Sequence, residues 1–572
     1  MKNKGHYFRN GVLATALVGL GGGFEYLRLV LASRRPGRAS AMTLRKILLY
    51  ARNSEYGREH HFSEILMAKS NKELLERWQK NVKLNDYEDF RPLVERHKHG
   101  EENVLFPGKP VMYATTSGTT SEPKWIPLTR PYIWNVYKKM TRVWLYNFVK
   151  NRPKALYGNL LTIVGRDVEG HAPDGTVYGS VSGVTRADAP PFIKYLYACP
   201  DCVYAIGDYT AKYYAINRIS MEKNLHMIVT ANPSTIVEMQ NSIDRWYDEM
   251  VDDIEKGTLT DKIKLEPEIR KQILKVLSPN PERAEELRAL KEKHGRVLPK
   301  HIWPNMQMMD TWKCGNTKIF LDKFKDSFPE HMFHQELGYF SSECRFGLVV
   351  DDSIYTVLFP HMHYYEFVAE EDLDAAKRGE AVRYWQVDEI EEGKRYCPYV
   401  TTLAGLYRYN MNDLVQVGSK FHNTPRVFMI QKINGIVSIT GEKLHEKQFF
   451  DAVALASKEL GVKVKFAIGF AVPEESRYHF YYEFEDPSVG GEQMERLNLK
   501  VDTILQKENI EYESKRDSFR LEVPAAHKLV PDAFEKFKTA CLAEGMRDGQ
   551  FKLNLLLQDE KRHAKFKQLV TE

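Results

Sequence analysis

The chain has 572 residues, 43% hydrophobic and 28% charged, which is the composition of a soluble globular protein and too long for one ordinary core, so two or more packed units are expected. Lys and Arg number 82 against 77 Asp and Glu, a formal charge of +5 with both signs interspersed, which gives no reason to expect a nucleic-acid partner. The six cysteines are scattered, with Cys199 and Cys202 as the one close pair and no second pair at zinc-ribbon spacing, and they read as reduced structural thiols of a cytoplasmic chain.

At the N-terminus Lys2, Lys4 and Arg9 precede an apolar run from Val12 to Leu20, the order of regions found in a signal peptide. Gly19 and Gly21 to Gly23 interrupt that run and Glu25 follows it, so the segment reads as too short for a span, which takes about 20 apolar residues. A helix is expected from Phe24 to Ala32, flanked by Arg34, Arg35 and Arg38, and suited to weak peripheral contact with an acidic membrane surface. Ser70 followed by Glu73 is a capping-box pattern that opens a helix through Leu74, Leu75 and Trp78. Asn280-Pro281 opens another through Leu287 and Leu290, and the stretch from about Glu249 to Arg296 reads as a charged, mostly helical insert. After residue 340, Phe346 to Val350, Ile354 to Phe359 and Tyr364 to Val368 are strand-like runs rich in β-branched and aromatic residues. Lys463 to Val472 and Tyr478 to Phe484 alternate as two strands joined by the turn Pro473-Glu-Glu-Ser476, within a small α+β domain expected to begin near residue 432. No internal repeat is present, and periodicity alone supports a mixed α/β chain of more than one domain.

Three segments carry chemistry. Tyr113 to Thr129 reads Tyr-Ala-Thr-Thr-Ser-Gly-Thr-Thr-Ser-Glu-Pro-Lys-Trp-Ile-Pro-Leu-Thr, a hydroxyl-rich turn around one glycine, entered from a strand and closed by Lys124. Backbone N–H groups and hydroxyls converge in such a turn and suit polyphosphate oxygens. The Walker spacing is absent, and an ordinary polar loop is the competing reading. In Gly338-Tyr-Phe-Ser-Ser-Glu-Cys-Arg-Phe-Gly347, Tyr339 and Phe340 are placed to cover an adenine face and Glu343 to hold magnesium, against the alternative of a strand end with a solvated glutamate. In Leu406-Tyr-Arg-Tyr-Asn-Met-Asn-Asp-Leu-Val415, Asp413 is either an acceptor for ribose hydroxyls or a turn residue after Asn412. His361, His363 and the Cys199–Cys202 pair lack a complete ligand set and read as packing or surface residues.

These segments stand in the order, and at separations similar to those, of the three nucleotide motifs of the acyl-adenylate-forming superfamily, within which the chain resembles the GH3 proteins. Lys124 to Pro127, Ser341-Ser-Glu343, Tyr364-Tyr-Glu-Phe367, Ala231-Asn-Pro-Ser-Thr235, Gly441-Glu-Lys-Leu444 and Glu55-Tyr-Gly-Arg-Glu-His60 are all similar to GH3 patterns. The resemblance implies an α/β fold: a large N-terminal domain over residues 1–430 with mixed β-sheets and a β-barrel-like part, and a small mobile α+β C-terminal domain over 431–572, the firefly luciferase-like adenylating architecture. It implies activation of a carboxylic acid by ATP and Mg2+ as an acyl-adenylate, then transfer to an amine, often an amino acid.

By the same resemblance Thr116, Ser117, Gly118, Thr119 and Thr120 cradle the phosphates and Lys124 supports that loop. Tyr339, Phe340 and Ser341 line the adenine, Asp413 holds the ribose, Glu343 binds the metal, and Lys443 and Lys552 reach the reacting phosphate. Tyr137 and Arg142, on an expected helix with Trp144, are candidate contacts to the acid by approximate spacing, with an exposed helix arginine as the alternative for Arg142. Ser121 and Asn412 stand where the superfamily has glycine, and Gln431-Lys432 lacks the arginine common at the hinge. An acyl-CoA ligase and a non-catalytic, nucleotide-binding scaffold of the same fold are the competing readings. The implied partners are a small carboxylic acid and an amine, with no nucleic acid and no transmembrane segment.

Overall fold

The computed structural model describes residues 4–116, 124–314, 318–433, 436–437, 439, 442, 444–517, 521–543 and 554–571. Its first element is one helix, α1 (Lys4–Ser33), which runs through Gly19 and Gly21 to Gly23 without a break. This corrects the shorter helix expected from Phe24. Each helical glycine costs about 1 kcal/mol in propensity, but a Cβ on Gly22 would lie 2.5 Å from the carbonyl oxygen of Arg142, so close packing on a neighbouring helix offsets that cost. The part from Gly11 to Ser33 is long and apolar enough to cross a membrane by length and composition, which the reading from the interrupted run excluded.

Helix α2 (Pro36–Ala51) starts with proline in its first turn. Helix α3 (Asn71–Asn81) begins where the sequence places it, with the Ser70 hydroxyl accepting from Glu73 N at 3.1 Å. Strands β1 (Met112–Thr116) and β2 (Lys124–Leu128) pair antiparallel. Helix α4 (Lys138–Asn151) follows a single π-helical turn, Ile133–Tyr137.

Four strands then form a wholly parallel sheet: β3 (Asn159–Thr162), β4 (Leu225–Val229), β5 (Met308–Thr311) and β6 (Phe333–Glu336), side by side in that order. β4, Leu-His-Met-Ile-Val, is the most apolar of them, while β5 and β6 bring the polar residues Asp310, Thr311, Gln335 and Glu336 to their carboxyl ends, all buried. The crossover from β4 to β5 contains α5 (Ser234–Lys256), α6 (Pro267–Leu274) and α7 (Pro281–His294), and Asn280 caps α7 through Arg283 N at 3.2 Å. The segment from 249 to 296 is therefore not a separable insert. It begins inside α5, and Ile254, Ile273 and Leu287 share one core with Leu161, Ile228 and Met309 of the sheet.

Beyond residue 340 the chain builds an antiparallel sheet. Its strands are β7 (Gly347–Leu348), β8 (Thr356–Leu358), β9 (Tyr364–Ala369), β10 (Arg395–Thr401), β11 (Asp413–Phe421) and β12 (Thr424–Lys432), ordered β9-β10-β11-β12-β8-β7 with Trp385–Gln386 outside β9. A buried ion pair ties this sheet to α3: Arg408 Nε donates to Glu366 at 2.9 Å, and Trp78 and Gln79 donate to the same carboxylate at 3.1 and 3.2 Å. Two residues of motif-like segments, Glu366 and Arg408, are thus explained by packing, since a buried carboxylate must be paired and hydrogen-bonded.

The chain folds as two compact units, Met1–Met411 with Val415–Met429, and Asn412–Leu414 with Ile430–Glu572. In the second, β13 (Val464–Val472) and β14 (Arg477–Phe484) form an antiparallel pair, flanked by β15 (Ala525–Lys528) parallel to β14 and by Leu556–Leu557 parallel to β13. Helices α8 (Glu446–Leu460) and α9 (Gly491–Glu508) cover it, with Phe449, Val453, Leu497 and Val501 buried against Phe480 and Tyr482.

Candidate active site

In a parallel sheet, ligands bind beyond the carboxyl ends of the strands, where successive loops converge. Here those ends carry two of the segments singled out in the sequence. Ala231-Asn-Pro-Ser-Thr235 leads from β4 into α5, and Gly338 to Gly347 follows β6. Trp312, after β5, joins them: its N–H donates to Ala231 O at 3.0 Å and its indole Nε1 donates to Gly338 O at 3.0 Å.

The Gly338 segment is a tight reversal. Gly338 takes φ +100°, a conformation that L side chains rarely adopt. Phe346 N donates to Tyr339 O at 3.0 Å, and Cys344 N donates to the Ser341 hydroxyl at 3.1 Å, leaving half-buried Glu343 in the turn. Tyr339 itself packs in the core, its ring 4.5 Å from that of Phe346, whereas Phe340 is half-buried and presents a face to the Arg345 guanidinium at 4.4 Å. Of the two aromatic residues expected at the adenine, Tyr339 is thus buried and Phe340 half-buried beside Arg345.

Arg345 is the residue that the sequence reading passed over. It is 3% exposed, and its guanidinium lies 5.0 Å from the Tyr137 ring and 6.0 Å from Trp144. It donates to Tyr137 O at 3.3 Å and to the Thr141 hydroxyl, two uncharged oxygens, and its Nε has no hydrogen-bond partner. Burial lowers its pKa. Tyr137 belongs to the π-helical turn, an irregularity frequent at functional sites, and its hydroxyl donates to Val181 O at 3.1 Å. Arg142 does not join it. One turn further along α4 the Arg142 side chain is exposed, on the side where Gly22 of α1 packs.

Two carboxyl groups border the same region from the strand ends. Trp144 Nε1 donates to Asp310 Oδ2 at 2.8 Å, the other oxygen of Asp310 has no partner, and burial raises its pKa far above the carboxylate range. Glu336 accepts from Gly338 N at 3.0 Å, and burial pushes its pKa up to about 7. Only the position of Arg345 inside an aromatic, core-bound stretch hints at it in the sequence, because its partners lie some 200 residues upstream.

Family models match nearly the whole chain: the GH3 N-terminal domain over residues 26–333, the central domain over 356–432 and the C-terminal domain over 447–561. The chain belongs to the GH3 family. Among its GH3 relatives, the 4-substituted benzoates-glutamate ligase GH3.12 of Arabidopsis thaliana is 23% identical over 528 residues, 86% of this chain and 88% of that one. The solved GH3.15 acyl acid amido synthetase superposes with a TM-score of 0.80 at 19% identity over 94% of both chains. A 2-hydroxyisobutyryl-CoA ligase in its postadenylation state superposes at 0.51, with 12% identity over 93% of this chain and 91% of that one. The fold is thus that of the adenylate-forming ligases, with mixed α/β layers and a smaller C-terminal part.

Lys124, at the start of β2, donates to the Tyr409 hydroxyl at 3.4 Å and lies 5.6 Å from the Tyr87 ring. Thr116 ends β1, while Ser117, Gly118, Thr119, Thr120 and Ser121 lie outside the described residues, as do Lys443 and Lys552. Asp413 is buried at the start of β11, in the second unit. Asn412 before it takes φ +53°, the left-handed conformation that asparagine tolerates better than most residues, and its carbonyl accepts from Ile433 N at 3.0 Å. His363 Nε2 is bonded to Arg345 O at 3.0 Å, so this histidine helps to hold the arginine. Cys199 is buried, with its thiol pKa pushed up to about 12 by burial.

Proposed function

We propose that this chain activates a carboxylic acid with ATP as an acyl-adenylate and transfers the acyl group to an amine, an amino acid being the acceptor class suggested by its relatives. The observation that carries the reading is the GH3 match over all three domains, joined to a strand end beside which the Arg345 guanidinium is buried without a carboxylate hydrogen bond. A carboxylate is a weak electrophile and is repelled by a triphosphate, so the chain must supply cations and oriented donors to both.

Arg345 fits the acid. A buried guanidinium bonded only to neutral oxygens, with its Nε unpaired, is stabilised by a carboxylate brought beside it, and Phe340, Tyr137 and Trp144 exclude water around it. The nucleotide would be held by the Thr116 to Thr120 loop with Lys124 behind it, by Phe340 and Ser341, and at its ribose by Asp413. Glu343 suits Mg2+, which commonly takes one or two carboxylates and completes its shell with phosphate oxygens and water. ATP supplies the phosphoryl electrophile and the leaving pyrophosphate; Lys443 and Lys552 would stabilise the charge that develops there. Residues 431–572 act as the mobile domain of this reading. The six cysteines are free thiols, in keeping with work in the cytoplasm.

ATP–pyrophosphate exchange with Mg2+, run against a panel of aromatic, indolic, jasmonate-like and fatty acids without amine, tests the first half-reaction. Acid-dependent exchange is the expected result, followed by amide product once amino acids are added. Product only with coenzyme A would replace the reading by an acyl-CoA ligase, and silence with every acid despite ATP binding would leave a nucleotide-binding scaffold.

A further inference from the structure

Helix α1 is docked the wrong way round for a water-facing helix. Over residues 11–33 its buried positions are Gly11, Ala14, Val18, Gly22, Glu25, Leu29 and Ser33, a seam spaced by three and four residues and made mostly of small side chains. Gly11 and Gly22 set the closeness of the contact, because a Cβ on either would lie 2.4 Å from Leu156 O or 2.5 Å from Arg142 O. The opposite face carries Leu13, Leu17, Leu20, Phe24, Leu27 and Leu31, all exposed, with Leu20 at 79% and Phe24 at 63%. Those six, spaced four, three, four, three and four, form one stripe about 27 Å long at 1.5 Å per residue. An amphipathic helix normally turns such a stripe to the core.

Charge says what covers it. Residues 1–54 contain ten Lys and Arg and a single acidic residue, Glu25. Glu25 is buried and lies 3.5 Å from Arg28. The other 518 residues hold 72 basic against 76 acidic side chains, so the positive charge of the chain comes entirely from this segment. Arg34, Arg35, Arg38 and Lys46 are exposed just beyond the stripe, where α2 also exposes Met42 and Leu49.

We infer that α1 lies in the plane of an anionic phospholipid surface, its leucine and phenylalanine stripe among the acyl chains and the arginines of the α1–α2 corner on the headgroups. Apolar burial and electrostatic attraction add in this binding mode. The glycine seam holds the helix on α4, and crossing the bilayer would strip it from that contact.

The test is co-sedimentation of the full chain with vesicles of phosphatidylcholine alone and of phosphatidylcholine with phosphatidylserine. Binding to the anionic vesicles is expected, weakened at least about tenfold by the L20E/F24E pair, by R34E/R35E/R38E, or by high salt. Both sets of positions are exposed, so the thermal midpoint of each variant should match the parent. Failure to bind anionic vesicles, or binding that neither variant reduces, overturns the inference. So does retention in the bilayer through alkaline carbonate, which would mean a span, or self-association without vesicles that L20E/F24E abolishes, which would make a second copy the occupant.

Discussion

At the scale of single residues, the site turns on a charge that the fold buries before any substrate arrives. The Arg345 guanidinium is held by Tyr137 O and the Thr141 hydroxyl rather than by a carboxylate, with His363 bonded to its backbone carbonyl, and truncating one partner of a buried charge pair costs about 2–5 kcal/mol. Arg345→Met is therefore expected to raise the KM for the acid in the exchange reaction by about 30-fold or more, with the KM for ATP changed less than about twofold. Arg345→Lys should recover little, since an ammonium does not reproduce the planar fork. An equal rise in both constants would point to general damage and would remove the acid-binding role. Asn412 illustrates a residue that was legible in advance: asparagine is the side chain that best replaces glycine at positive φ, and φ +53° is what the structure has there.

At the scale of elements, local rules were readable wherever their signals are contiguous. The Ser70 and Asn280 caps and the β13–β14 hairpin need only a few neighbouring residues, and all three form where their patterns place them. Helix α1 was misread because glycine content argues locally against a helix, while the benefit of glycine there comes from another helix. The turn after β6 supplies a sharper test. Gly338 combines φ +100° with backbone of residues 347 and 348 at 3.1 Å from a would-be Cβ. Gly338→Ala is expected to lose about 1–3 kcal/mol, read as a lower denaturant midpoint, and to slow exchange by displacing Phe340 and Ser341. Gly379→Ala, at φ +75° with nothing within 4 Å, carries only the backbone part and should cost less.

At the scale of the whole molecule, buried histidines set the acid limit of the fold. Burial depresses His97, His334, His363, His527 and His563 to about 4 and His361 to about 3, below the ordinary 6.5. Between pH 6.5 and about 4 the unfolded chain therefore binds more protons than the native one, so stability is lost as pH falls through that window. Asp310, Glu336 and Glu446 act in the opposite sense, because burial raises their carboxyl pKa values (to about 7 for Glu336 and about 8 for Glu446) and stability is lost as pH rises through that range. Thermal midpoints should therefore fall as pH drops from 6 toward 4 and decline again from pH 7 to 8, and a midpoint that keeps rising as pH falls from 6 to 4 would contradict this assignment. The amino-acid sequence by itself determined the family, the α/β class, most helix starts and the strand-rich middle, because motifs, caps and alternation are written in adjacent residues. Only the tertiary structure decided that Arg345 is caged by residues about 200 positions away, that Glu366 and Arg408 neutralise each other, and that α1 faces its leucines outward. Each of these depends on what lies across a gap in space, and burial, unlike periodicity, is a property of neighbours that the chain meets only after folding.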